Sequence, residues 1–187
     1  MSRNIHENFY ELSPIVERVI LDENPKSVLE ISGYKSKYGR LISDCQKRAQ
    51  PGNNGAFEAI VDRIDLTDNH NCDDLGIYDS VYASEVLTNL SDLGVYDVIV
   101  IFHLFENMHN ADARFLLEAL LQKTRKQILV ITPEYPYDLD TEGTVSDKRT
   151  YYPELFEGLK YNHSMIYTAE GVWQEYCFSP ENERSLP

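Results

Sequence analysis

Apolar side chains recur along this chain in two rhythms, and the alternation between them predicts the order of its elements. Ser13-Pro14, a cap residue with proline at the first helical position, precedes Ile15, Val16, Val19 and Ile20, so a first helix runs toward Asn24-Pro25. Residues 27–31 (SVLEI) form a short apolar run between a proline and Ser32-Gly33, which reads as a buried strand. After a loop over 32–37, Tyr38, Leu41, Ile42 and Cys45 recur at i, i+3, i+4 and i+7 and predict a second helix lying on the sheet. The proline, glycines and asparagines of 50–55 form a surface connection, 57–66 reads as a second strand, 67–76 as a polar loop and 78–83 as a short third strand.

Two runs, 98–102 (VIVIF) and 128–132 (ILVIT), have the continuous apolar character of strands buried on both faces. Between them Ala113, Leu116, Leu117, Leu120 and Leu121 make one helical stripe, followed by Lys123, Arg125 and Lys126, where cations favour a helix C-terminus. Strand, crossover helix and strand repeat after about 30 residues, which is a βαβ unit. The segment 133–149 is acidic and aromatic, 151–159 predicts a short helix, and 164–169 with 172–178 flank Glu170-Gly171 as an antiparallel hairpin.

Composition narrows the function. A length of 187 residues predicts one domain: an N-terminal helical segment over 1–26, a core over 27–178 and a frayed tail over 179–187. The 31 acidic against 17 basic side chains leave a net charge of −14, which repels a polyanion; Lys35, Lys37 and Arg40 are the densest basic run, so nucleic acid is not expected as a partner. A small molecule or a protein partner suits the charge better, and homodimerisation stays open. Cys45, Cys72 and Cys177 form no CxxC pair, which argues against a zinc site or disulfide framework and for a reducing compartment. No apolar run approaches the roughly 20 residues that span a bilayer, and the N-terminus has no signal-like apolar region. The expectation is a cytoplasmic protein that neither enters a membrane nor holds a metal.

In an open parallel sheet the ligand lies beyond the carboxyl ends of the strands. Read there, Val28-Leu29-Glu30-Ile31 with a following loop and Tyr38-Gly39 resembles motif I of class I S-adenosylmethionine-dependent methyltransferases. The second strand closes on Asp65, in the place of that family's ribose-binding carboxylate, and 96–108 (YDVIVIFHLFENM) resembles its fourth strand and the helix start beyond it. The resemblance extends over 27–178. It implies a Rossmann-like α/β methyltransferase fold, with a mostly parallel central sheet, helices on both faces and a C-terminal antiparallel hairpin. By the same resemblance Glu30, Gly33 and Asp65 hold S-adenosylmethionine, Ser84 or Glu85 meets its adenine, and His103 and Glu106 face the methyl acceptor.

The implied activity is methyl transfer to a small-molecule or glycan-type acceptor. His103, with an ordinary pKa near 6.5, suits a general base, although an in-line methyl transfer depends mostly on positioning. Glu134, Tyr135 and Tyr137 follow the fifth strand, where an acceptor is expected. Where the family carries a GxGxG turn, this chain has Ser32, Tyr34 and Ser36, with Gly33 and Gly39 nearby. Those substitutions keep two other readings open: a methyltransferase-like binding or scaffold subunit without catalysis, and a Rossmann-type protein for a different nucleotide. Two apparent metal motifs fail on spacing. Residues 138–143 begin like a calcium loop whose twelfth position is Arg149, and His70, Cys72, Asp73 and Asp74 lack a second ligand pair.

Overall fold

The computed structural model describes residues 12–32, 38–49, 60–66, 77–102, 104–105, 108–133, 155–168 and 171–180. Helix α1 (Ser13–Glu23) starts with proline in its first turn and stops at Asn24, whose left-handed backbone (φ 42°) lets its N–H reach the Ile20 carbonyl. Strand β1 (Ser27–Ser32), helix α2 (Tyr38–Ala49), and strands β2 (Ile60–Asp65), β3 (Ser80–Ala83) and β4 (Tyr96–Phe102) follow. Helix α3 (Asn110–Leu121) leads to β5 (Thr124–Pro133), and the chain closes with β6 (Tyr161–Thr168) and β7 (Gly171–Phe178). These strands form one sheet in the order β3-β2-β1-β4-β5-β7-β6, parallel from β3 to β5 and antiparallel at β7 and β6.

Alternate residues of each central strand enter opposite layers, which is why the apolar runs of β1, β4 and β5 are nearly continuous, with Glu30 of β1 and Asp62, Arg63 and Asp65 of β2 as buried polar exceptions. Val28, Val61, Val98 and Leu129 pack under α1 and α2 against Val16, Ile20, Ile42 and Cys45. Leu29, Ile99, Ile101 and Ile128 face the other way, onto Leu116, Leu117 and Leu120 of α3. Phe156, beyond β5, joins the second layer edge-on to Phe178. The expected mostly parallel sheet with helices on both faces and a terminal hairpin is therefore present.

Several local bounds differ from those expected, beginning with β4, which starts at Tyr96 rather than 98, and β5, which starts at Thr124 rather than 128. The third strand starts at Ser80, not 78: the Asp79 carboxylate accepts the Val61 N–H at 2.8 Å, and Tyr78 turns inward. Of the second strand expected over 57–66, Ile60–Asp65 is described as strand and 57–59 lie outside the described residues. Of the three cations expected beyond α3, Lys123 does follow the helix directly, with its ammonium on the Leu93 carbonyl at 2.8 Å, whereas Arg125 and Lys126 are taken into β5, which begins at Thr124. Lys126 reaches instead to the Glu23 and Asn24 carbonyls at the end of α1 (2.6 and 3.4 Å), where a cation meets a helix C-terminus, and Arg125 pairs with Asp97 at 3.2 Å. Strand β6 starts at Tyr161, three residues ahead of the expected 164. No described helix is long and apolar enough to cross a membrane.

Candidate functional site

Strand register lines up the carboxyl edge of the sheet. Ala83 pairs with Asp65, Asp65 with Ser32, Ser32 with Phe102, and Phe102 with Ile131, so one row crosses five parallel strands. The strand order reverses between β1 and β4, the switch point where a ligand crevice opens in such sheets. Asp65 stands in this row and Glu30 two residues behind it on the same face of the sheet. Ser84 opens a 3-10 turn (Ser84–Thr88) directly beyond β3, with Ser84 half-buried and Glu85 exposed. The structure thus brings Glu30, Asp65 and Ser84 to one edge, while the Glu85 side chain reaches solvent. Gly33, His103 and Glu106 lie outside the described residues, as do the 67–76 loop with His70, Cys72, Asp73 and Asp74, the segment 134–150 with Glu134, Tyr135, Tyr137 and the 138–149 loop, residues 1–11 and 181–187.

Both acids are deeply enclosed: Glu30 is 0% exposed and Asp65 2%. A buried carboxylate needs compensating donors, and this chain supplies them. The Tyr78 hydroxyl donates to Glu30 Oε2 at 2.9 Å. Arg63, the register partner of Glu30 and two residues before Asp65 on the same strand face, places Nη2 3.5 Å from Asp65 Oδ1. The Arg63 guanidinium carbon stands 5.7 Å from the centre of the Tyr78 ring, so phenol, guanidinium and two carboxylates form one buried chain. Tyr38 stacks on Phe102 at 4.3 Å, and burial together with the Glu30 charge drives its hydroxyl pKa far upward.

Gly39, in the first turn of α2, is explained by Tyr78. A Cβ built there would stand 2.4 Å from the phenol ring, so only glycine lets the tyrosine pass between α2 and β1. Sequence reasoning missed Tyr78 and Arg63. Arg63 was detectable in principle, since a cation at i−2 on a strand shares a face with its acid; Tyr78 carried no such signal.

S-adenosylmethionine, the group the resemblance implies, finds groups of suitable kind at this edge: a carboxylate for an amine, a second for a ribose diol, and the buried Ser32 Oγ, which has no hydrogen-bond partner among the described residues. The fit requires the ligand to take over from Tyr78 and Arg63. Among the described residues no cluster of histidine, cysteine or acidic side chains is arranged for a metal.

No family model matches the chain, and no curated protein matches it in sequence. Solved structures do match in shape. The methyltransferase domain of bacterial CtHen1-C superposes with a TM-score of 0.60 at 14% identity, covering 92% of this chain and 98% of that one. The plantazolicin methyltransferase BpumL, solved with a desmethyl analogue and S-adenosylhomocysteine, gives 0.60 at 14% identity over 93% of this chain and 86% of its own. An O-methyltransferase from Bacillus cereus in complex with S-adenosylhomocysteine gives 0.58 at 14% identity over 93% and 83%. At such identities the likeness is one of architecture, and it agrees with the strand order: this chain has the Rossmann-like fold of the class I S-adenosylmethionine-dependent methyltransferases.

Proposed function

We infer that the chain is an S-adenosylmethionine-dependent methyltransferase acting on a small-molecule or glycan-type acceptor in a reducing, cytoplasmic setting. The observation that carries this reading is the row Ala83–Asp65–Ser32–Phe102 at the switch point, with Glu30 just behind it, which sets acids at the ends of two adjacent strands. Glu30 would hold the methionine amine with Gly33 beside it, Asp65 the ribose hydroxyls, and Ser84 or Glu85 the adenine. When bound, the cofactor supplies an electrophilic methyl group on a sulfonium. His103, the first residue beyond β4, and Glu106 would orient the acceptor and take its proton. The net charge of −14 favours a neutral or cationic acceptor over a nucleic acid.

A specific observation favours the second reading, a methyltransferase-fold binding subunit without catalysis: both acids already have donors from this chain, Tyr78 on Glu30 and Arg63 on Asp65. Calorimetric titration with S-adenosylmethionine and S-adenosylhomocysteine separates the two. The enzyme reading expects binding that Asp65→Ala weakens by about tenfold or more, the loss of a charge-assisted hydrogen bond to a buried acid. Absence of heat at millimolar ligand, with the protein folded, would leave the binding-subunit reading standing.

A further inference from the structure

We propose that Tyr78 and Arg63 are an internal surrogate for the ligand, a latch that occupies the two cofactor acids until the nucleoside displaces it. The inference rests on the functional reading above and concerns the regulation of that same site. Its basis is the equivalence of donors. The site needs a cation and hydroxyl groups against Glu30 and Asp65, and the chain itself supplies a guanidinium, positioned between the two acids by register, and a phenol hydroxyl on Glu30. An ammonium group and a ribose diol offer the same kinds of donor, so exchanging one set for the other leaves neither carboxylate bare.

Geometry marks Tyr78 as the moving member. It precedes β3 rather than lying in it, so its backbone belongs to no strand ladder, whereas Arg63 is held at the centre of β2. Its ring passes over the first turn of α2 through space kept clear by Gly39, the same turn that follows the motif I loop. Withdrawing the ring therefore frees Glu30 Oε2 of the phenol hydroxyl and the guanidinium of its ring contact, at the cost of the packing Tyr78 makes in the layer under α1 and α2, and it requires no strand to move. The ligand affinity measured for the whole protein is then the intrinsic affinity reduced by the fraction of molecules with the latch open.

The test is calorimetry of the full chain with S-adenosylhomocysteine, comparing the wild type with Tyr78→Phe, which keeps the ring and drops the donor, and Tyr78→Ala, which removes both. Folding of each variant is checked by circular dichroism. Tighter binding by about tenfold in Tyr78→Ala, with a smaller gain in Tyr78→Phe, is the expected result and corresponds to a latch closed in some nine molecules of ten. The same variants without ligand should melt at a lower temperature than the wild type, since the Glu30 carboxylate loses the Tyr78 hydroxyl as one of its partners. Wild-type binding that is unchanged or weakened in both variants overturns the latch and leaves the methyltransferase reading intact. If none of the three proteins binds, the functional reading falls and the latch falls with it. Should Tyr78→Ala fail to fold, Tyr78→Phe decides alone, an affinity no higher than wild type overturning the proposal.

Discussion

Cys177 shows how far burial governs a side chain here. It lies under α1 beside Glu175, to which its thiol donates at 3.4 Å, and Glu175 is held in turn by an ion pair with Arg18. Burial, then the Glu175 charge, pushes the thiol from its ordinary 9.0 up to about 12. A group whose pKa rises on folding binds its proton more tightly in the native state, so its contribution is complete below pH 9 and is lost as pH climbs toward 12. The buried hydroxyls of Tyr38, Tyr96 and Tyr176 are shifted the same way, chiefly by burial. Urea unfolding midpoints should therefore hold steady from pH 7 to 8.5 and fall above about pH 9, and Cys177 should resist thiol reagents until the protein unfolds. A native thiol that reacts freely at pH 8 would contradict its enclosure. Of the candidate site residues, Glu30 and Asp65 were legible because strand-end acids follow from strand position alone. The partners that neutralise them were not, because Tyr78 meets Glu30 across 48 positions of chain.

Helix α2 depends on its glycine for a reason its own propensity would not suggest. Gly39 costs a helix up to about 1 kcal/mol relative to alanine, yet alanine would drive a methyl group into the Tyr78 ring at 2.4 Å. Overpacking of that kind costs about 1–3 kcal/mol, so Gly39→Ala should lower stability in the wild type. In a Tyr78→Ala background the obstruction is gone and the same substitution should become neutral or stabilising. A double-mutant cycle by urea unfolding measures the reversal, and equal, additive losses in both backgrounds would show that the ring is not what the glycine accommodates. Lys126, too, serves an element other than its sequence neighbour. Its charge after α3 pointed to that helix, but the strand begins two residues earlier and carries the lysine to the end of α1.

Across the molecule, 31 acidic and 17 basic side chains create a self-repulsion that the few described ion pairs do not remove. Raising the ionic strength from about 0.01 to about 0.1 M shortens the Debye length from about 30 to about 10 Å. The melting temperature should rise over that interval by roughly 2–4 °C, the equivalent of about 1 kcal/mol for a domain of this size. A falling melting temperature in a salt series would mean that ion pairs such as Arg18–Glu175 outweigh the net charge. The sequence by itself determined the element order, the two-faced burial of the central strands and the hairpin ending, since these follow from hydrophobic period and turn chemistry acting over a few residues. Only the tertiary structure decided which donors face Glu30 and Asp65, why position 39 is glycine, and which helix Lys126 serves. Those depend on strand register and on side chains meeting across the sheet, distances at which the period of a local pattern carries no information.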